Sequence, residues 1–210
     1  IRTPLQSVVA AIHLVSEQEE NSPKRLRRLE NLFTMCLNNI PLIGQIIEAT
    51  LDGNRDIQII KSKSNLRETL DSSLRHNHDL SRRSGVAIEV NAPEQIIGHF
   101  DQPQIIRVMN NLLKNGIEAA AEKHDIKKVR VSLFEKEKKI MLTVEDSGNG
   151  FKITPDKAFR AFRTTKARGT GLGLLISKKI IEAHSGVIKA SNDSVFGGAK
   201  MEVVLPSWGN

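Results

Sequence analysis

The 210 residues carry 39% hydrophobic side chains, enough for a core, but one Trp, no Tyr and seven Phe, so aliphatic side chains must do most of the packing. A single cysteine, Cys36, excludes an internal disulfide and suits a reducing compartment, no apolar run approaches the roughly 20 residues that span a bilayer, and no signal-peptide pattern is visible. The net charge of +7 is compatible with nucleic acid, an anionic membrane or phosphate-bearing ligands, but the basic residues fall in short groups (24–28, 127–130, 136–139 and 160–168), which fits a solvated surface better than a nucleic-acid interface.

The chain opens on a helical pattern, with Leu5, Val8, Ile12 and Val15 in one apolar stripe. A polar break over 17–21 precedes Ser22-Pro23, an N-cap with proline at the first helical position. The second helix carries Leu26, Leu29, Phe33, Cys36, Ile40, Ile43 and Ile47 at alternating steps of three and four. That is a heptad seam of the kind that packs in a coiled coil or bundle. Pro41 lies inside it and should kink it or sit where no backbone donor is needed. Two helices cannot bury so long a seam alone, so the pattern predicts two hairpins pairing as a dimeric four-helix bundle. The alternative is a seam packed against the downstream part of the same chain.

Asp52-Gly53-Asn54 ends the helix. A short strand over 57–61 leads into a second domain. Residues 65–83 read as an amphipathic helix with Leu66, Leu70, Leu74 and Leu80 on its apolar face, and 86–90 alternates as a strand. Asp101 is the expected N-cap of a helix that starts at Gln102-Pro103 and runs to about residue 122. Alternation at Val129, Val131 and Leu133, then at Ile140, Leu142 and Val144, predicts two strands of a hairpin. Residues 171–184 read as a helix, and 187–190 and 199–205 as closing strands. Helices and mostly antiparallel strands mix without a βαβ rhythm, which predicts an α+β layered sandwich. The expected divisions are a helical hairpin over 1–53, a linker with the first strand over 54–63, and the α/β-sandwich over 64–210.

The helix from Pro103 holds Ile106, Met109, Leu113, Ile117 and Ala120 on its apolar face, with Arg107, Asn111, Asn115 and Glu118 on another side. Asn is a poor helix former, and two of them a turn apart suggest a task. An amide oxygen suits Mg2+, which wants oxygen ligands and keeps several waters; a solvated helix face is the plainer explanation. Asp146-Ser147-Gly148-Asn149-Gly150 closes the strand over 140–145. A carboxylate there can accept a hydrogen bond from a donor such as the adenine amine, and Gly148 and Gly150 let a planar base approach the backbone. The same string is also a common turn. Gly169-Thr170-Gly171-Leu172-Gly173-Leu174 sets three alternating glycines before a helix, where backbone N–H groups can wrap phosphate oxygens. The spacing is not that of a dinucleotide fingerprint, and the Gly-Lys-Ser/Thr of a P-loop is missing. Between these two motifs, Phe159 and Phe162 can anchor a lid whose cations Arg160, Arg163, Lys166 and Arg168 meet a triphosphate; a basic surface helix is the alternative.

Order and spacing together say more than each motif alone. Asn111-Leu112-Leu113-Lys114-Asn115-Gly116 resembles the N box of sensor histidine kinases, 146–150 the G1 box, 159–162 the F box and 169–174 the G2 box. The tail, with His184-Ser185-Gly186 and a last strand ending in Pro206, is similar too, so the resemblance runs from Asn65 onward. Gyrase, heat-shock chaperone and mismatch-repair ATPases share the Bergerat type of ATP-binding sandwich; the Phe-Arg-Ala-Phe-Arg-Thr-Thr-Lys segment looks like the kinase branch. Ile1-Arg2-Thr3-Pro4-Leu5 resembles the end of that family's His-Glu-x-x-Thr-Pro-Leu box, with the phosphoacceptor histidine two residues before Ile1. His13 is outside the motif and reads as an ordinary helix residue.

The resemblance implies ATP and Mg2+ as cofactors. It implies that Asn115 ligates Mg2+, that Asn111 lies near the γ-phosphate and orients the incoming imidazole, and that Asp146 binds the adenine amine. Gly148, Gly150, Gly169, Thr170, Gly171, Leu172 and Gly173 would shape the pocket and phosphate loop, Thr165 and Lys166 would contact phosphates, and Thr3 would orient water for dephosphorylation of the partner. Glu118 departs from relatives that carry a basic residue there, so that position is not expected to face phosphate. The implied protein is a cytoplasmic two-component kinase: a homodimer that phosphorylates its histidine and then an aspartate of a response-regulator receiver domain, without nucleic acid, its parent reaching the inner membrane only through upstream regions. Two rivals are an ATP-sensing module without phosphoryl transfer, against which the complete set of boxes argues, and a gyrase-type ATPase, against which the heptad hairpin argues.

Overall fold

Val129, Val131 and Leu133 alternate with Arg130, Ser132 and Phe134, and in the computed structural model of this chain that alternation forms an interior strand of a sheet. The structure describes residues 57–160 and 171–207. In chain order these form β1 (Ser62–Asn65), α1 (Leu66–Ser84), β2 (Ala87–Asn91), β3 (Ile97–Phe100), α2 (Gln102–Ala121), β4 (Lys128–Lys136), β5 (Lys139–Asp146), a 3-10 turn (Pro155–Phe159), α3 (Gly173–Ala183), β6 (Val187–Ser191) and β7 (Lys200–Pro206). Among them, five strands pair in the order β2-β4-β5-β7-β6, and β1 pairs with β3 separately. Every pair is antiparallel except β2 with β4. That pair can be parallel because α2 lies in the connection between its strands, supplying the length a crossover needs.

Register decides what faces the helices. Leu133 stands opposite Leu142, Val131 opposite Val144, and Val129 opposite Asp146. Across β7 the Leu133–Leu142 and Val131–Val144 rows continue into Val203 and Met201, and Leu205 on the same face stands opposite Ile140. A strand's period of two therefore puts Asp146 on the face that carries this apolar set. All of these side chains are buried, and α2 packs on β4 and β5 while α3 packs on β6. The opposite face bears a second row, Phe134, Met141, Val204 and Val187, whose two outer members are exposed. The result is the α+β, two-layer sandwich expected from the pattern.

Asn65 caps α1, its Oδ1 accepting from the Arg67 N–H at 3.0 Å, and Gly85 ends it in the left-handed region at φ 65°. Leu66 and Leu70 are fully buried as expected, but Leu74 and Leu80 are not in the core. The buried stripe is instead Thr69, Ser73, Asn77 and Ser81. Small side chains let α1 lie close against α2, and Asn77 Nδ2 donates to Ser73 O and to Asn110 Oδ1 of α2. The face of α2 is broader than its four-residue rhythm suggested, with Ile105, Val108 and Leu112 buried and Ile106 only half so.

Asp101 caps α2 through Oδ1, which accepts from the Gln104 N–H at 3.1 Å. Its Oδ2 accepts from the Ile60 N–H at 2.8 Å, and its own N–H donates to Nε2 of His184 at the end of α3. His184 Nδ1 in turn donates to Ile180 O. One capping residue thus ties the entry segment, the start of α2 and the end of α3 together.

Three expectations need correction. The strand placed at 57–61 lies at Ser62–Asn65, because its partner is β3, a four-residue strand interrupted by Gly98 that the alternation does not reveal. The strand placed at 86–90 lies one residue later. The last helix starts at Gly173 rather than at Gly171, which adopts φ 67° and cannot begin a right-handed helix. Among the described residues no helix is long and apolar enough to cross a membrane. The hairpin expected over 1–53 lies outside the described residues.

Candidate functional site

Three segments meet along the C-terminal half of α2. From α2 come Asn111 and Asn115; from the end of β5 comes Asp146 with the loop through Gly150; from the third comes Gly173, the first residue of α3. Their closeness is written in the glycines. A Cβ on Gly173 would overlap Oδ1 of Asn111, and a Cβ on Gly148 would stand 2.7 Å from the Cβ of Ala119 on α2. On the α2 side, a Cβ on Gly116 would lie 3.6 Å from that of Asp146.

Asp146 is 6% exposed. Its Oδ1 accepts from the Gly148 N–H at 2.8 Å and the Ala199 N–H at 3.2 Å. Its backbone N–H donates to Ala199 O, and its carbonyl accepts from Ser194 Oγ at 2.7 Å. The carboxylate is therefore held rigidly on the helix-facing side. A carboxylate takes about four donors, so anchoring the loop does not preclude accepting from a ligand. Next to it, Ser147 Oγ donates to Ile126 O and accepts from the Lys128 N–H, which fixes the strand end from the other side.

The loop between β6 and β7 forms the floor of this corner. Gly198 lies so close that a Cβ would overlap the Asp146 carbonyl and Oδ1. Asn192 clamps the segment after Gly150 with both ends of its amide: Oδ1 accepts from the Phe151 N–H at 2.7 Å and Nδ2 donates to Phe151 O at 3.1 Å. Phe196 in the same loop carries the Arg130 guanidinium 4.9 Å from its ring centroid. Lys128 and Arg130 both hydrogen-bond Glu89, and those bonds, Lys128's first, hold its carboxyl below the usual carboxylate range.

On α2, the two amides are chained. Asn115 Nδ2 donates to Asn111 Oδ1 at 3.4 Å, and Asn111 Nδ2 donates to Ser177 Oγ of α3 at 3.0 Å. Among the described residues no three His, Cys, Asp or Glu cluster as a metal cage. The amide oxygens of Asn111 and Asn115 are the donor type that fits Mg2+ held together with phosphate oxygens and water. Glu118 lies 3.9 Å from Lys114 one turn back.

Ahead of α3, Gly171 is left-handed and Leu172 is buried, and α3 opens without a side-chain cap. The N–H groups of a helix's first turn and its dipole favour an anion. Phe159 is buried, with Lys178 Nζ 5.8 Å over its ring, so the first of the two expected lid anchors does seat beside α3. Of the residues singled out in the sequence, Asn111, Asn115, Asp146, Gly148, Gly150, Gly171, Leu172 and Gly173 are described, and the contacts above draw Asn111, Asn115, Asp146, Gly148 and Gly173 to α2 and the strand end beside it. Thr3, Phe162, Thr165, Lys166, Gly169 and Thr170 lie outside the described residues. Sequence reasoning passed over Ser177, Asn192, Ser194 and Gly198. Gly197-Gly198 ahead of the last strand was a readable sign of close backbone approach; the other three carry none.

Residues 100–208 match the family described as histidine kinase-, DNA gyrase B-, and HSP90-like ATPase. The sensor histidine kinase MtrB of Mycobacterium tuberculosis is 28% identical over 215 residues, covering 98% of this chain and 37% of MtrB. The chain thus spans little more than a third of that relative. In fold, it is similar to the histidine kinase AdeS of Acinetobacter baumannii, with TM-score 0.73 at 19% identity, covering 99% of this chain and 97% of the other. It is also similar to the catalytic domain of the histidine kinase ThkA, with TM-score 0.63 at 27% identity, covering 70% of this chain and 96% of the other.

Proposed function

We propose that this chain, which belongs to the histidine kinase-, DNA gyrase B-, and HSP90-like ATPase family, is the nucleotide-binding catalytic part of a sensor histidine kinase that binds ATP with Mg2+ and transfers the γ-phosphoryl group to a histidine. The observation that carries this is the buried Asp146 carboxylate, pinned through Oδ1 at the edge of a corner that also receives the α2 amides and the start of α3. Asp146 accepts from the adenine amine. Gly148 and Gly150 leave room for the base beside it. The N-terminal turn of α3 and the glycines before it receive the phosphates, and Thr165, Lys166, Gly169 and Thr170 complete that cradle. Asn115 offers its amide oxygen to the metal, and Asn111 lies near the γ-phosphate. Bound Mg2+ supplies neutralisation of charge on the phosphate oxygens. The chain's own contribution is positioning and preorganised polarity rather than covalent chemistry.

In this reading the helical hairpin of residues 1–53 dimerises and presents the phosphoacceptor, two residues before Ile1, and Asn111 orients its imidazole. The phosphoryl group then passes to an aspartate of a response-regulator receiver domain. Thr3 orients water for the reverse, dephosphorylating reaction. The parent protein works in the cytoplasm and meets the membrane only through other segments.

The test is calorimetric titration with a non-hydrolysable ATP analogue, with and without Mg2+, for the wild type and Asp146→Asn. A hydrogen bond to a charged group contributes about 1.5–3 kcal/mol, so the variant is expected to bind at least about tenfold more weakly while its melting temperature stays close to wild type. A folded wild-type chain that binds no analogue would sink this proposal.

A further inference from the structure

We infer that Ser194 is a positioning residue for recognition of the adenine amine: its hydroxyl fixes the turn of the β6–β7 loop that delivers the Ala199 N–H to the Asp146 carboxylate. This rests on the nucleotide-binding reading above and deepens it at the base. Ser194 Oγ has two partners, and each can act in one sense only. The Asp146 carbonyl can only accept, so the hydroxyl proton lies on that bond, at 2.7 Å. The Phe196 N–H can only donate, so it takes a lone pair of the same oxygen, at 3.2 Å. Ser194 O accepts from the Gly197 N–H at 2.9 Å, which closes residues 194–197 into a turn, and Gly197 leaves that turn at φ 81°, which suits glycine. The turn thus begins on the carbonyl of Asp146. It leads into Gly198-Ala199, where the Ala199 N–H reaches Asp146 Oδ1 and Ala199 O accepts from the Asp146 N–H.

Asp146 makes a further interaction besides these, and the loop's own share is specific: it grips the residue at its N–H, its carbonyl and Oδ1. Gly198 packs so closely on the Asp146 carbonyl that a Cβ would overlap it, so a shift of the turn is passed on to the carboxylate. The far side of the turn is seated as well. The Phe196 ring lies 4.9 Å from the Arg130 guanidinium and 6.0 Å from Lys128 Nζ, and Glu89 holds both cations. Ser194 is 9% exposed, so bulk water does not readily replace its hydroxyl. Without that hydroxyl the Asp146 carbonyl loses a donor and the Phe196 N–H loses an acceptor. The turn then swings relative to the end of β5 and carries the Ala199 N–H with it. The carboxylate follows and meets the amine at a poorer angle, and hydrogen bonds weaken steeply with misalignment. The amides of α2 are held by a separate set of bonds, to each other and to α3. The loss therefore falls on the base and not on the phosphates.

The experiment compares two ligands by calorimetry on the full chain: a non-hydrolysable ATP analogue, and the same analogue built on unsubstituted purine, which lacks the exocyclic amine. The ratio of their affinities reads the amine contact alone. The variants are Ser194→Ala and Ser194→Cys, each with its melting temperature. Cysteine fills the buried space with a weak donor and carries the test if Ser194→Ala does not fold. Thr69→Ala removes a buried hydroxyl bonded to Asn65 O in the first turn of α1, and so controls for loss of stability alone. The expected result is a preference for adenine that falls about fivefold in the Ser194 variants, the worth of one ordinary hydrogen bond, with affinity for the purine analogue unchanged and the preference intact in Thr69→Ala. A wild-type preference in the folded Ser194 variants overturns the proposal. So does an equal loss for both ligands, which would mark a packing role, or the same fall in Thr69→Ala. A wild-type chain that binds neither ligand would overturn the nucleotide-binding reading and this proposal with it, whereas a wild-type preference that is lost in Asp146→Asn keeps that reading whatever Ser194 does.

Discussion

At the residue scale the site depends on atoms that are missing. Gly198 has no side chain, and the room this leaves is filled by the Asp146 carbonyl and Oδ1 and by the Gly148 N–H. A methyl group there would have to push the end of β5 away from the β6–β7 loop and break the Ala199 N–H bond that orients the carboxylate. Gly198→Ala is expected to cost about 1–3 kcal/mol, the range for overfilling a packed site, and to weaken analogue binding as well. Gly85→Ala is the comparison. Its added carbon meets nothing within 4 Å, but its φ of 65° suits glycine, so about 1–2 kcal/mol of stability should go with binding unchanged. Urea denaturation and calorimetry on the two variants separate the effects. Equal binding losses in both would mean that the close approach at Gly198 is not what shapes the corner.

At the scale of elements, the joint between α2 and α3 turns on His184. Burial pushes its imidazole below the ordinary value of 6.5; the hydrogen bond to Ile180 O opposes this, Lys61 adds to it, and Asp101 opposes it. The neutral ring uses Nδ1 as donor and Nε2 as acceptor from the Asp101 N–H, and protonating Nε2 would set two donors against each other. Because the folded value lies below the unfolded one, the unfolded chain binds the extra proton first. The stabilisation is present above about pH 6.5 and is lost as the pH falls through the depressed folded value. Urea midpoints at pH 7.5 and 5.5 are expected to drop on acidification in the wild type, and to drop less in His184→Gln. The elements around this joint were legible to different degrees, for physical reasons. The hairpin of β4 and β5 and the body of α2 could be read because one face is dry and periodicity records that. The buried face of α1 could not, since Thr69, Ser73, Asn77 and Ser81 look like a solvated stripe until α2 is laid on them. Strand β3 is short and holds Gly98, so only its partner β1 defines it. Asn111, Asn115 and Asp146 were found by spacing, whereas Ser177 and Asn192 act across 66 and 41 residues of chain and leave no local trace.

At the scale of the whole molecule, nucleotide binding and dimerisation are expected to reside in separable parts. Asp56–Asn210 form one compact unit. Its core closes between the sheet and α1 to α3, and the entry segment is secured at Ile60 by Asp101. Among the described residues, Asp146 is held by Gly148, Ser194 and Ala199, and Asn111 by Asn115 and Ser177. The heptad seam from Leu26 to Ile47 is long, apolar and regular, which is what a second copy is needed to cover. A chain cut after Arg55 is therefore expected to be a monomer by sedimentation and to bind the ATP analogue with the affinity of the full chain, while the full chain sediments as a dimer. If the shortened chain were still a dimer, the seam would not be what pairs the molecules, and the row from Phe134 to Val187 on the other face of the sheet, exposed at both ends, would be the surface to mutate next. If it were a monomer that had lost affinity, the first 55 residues would have to contribute to the nucleotide site, and the separation of the two tasks would be wrong.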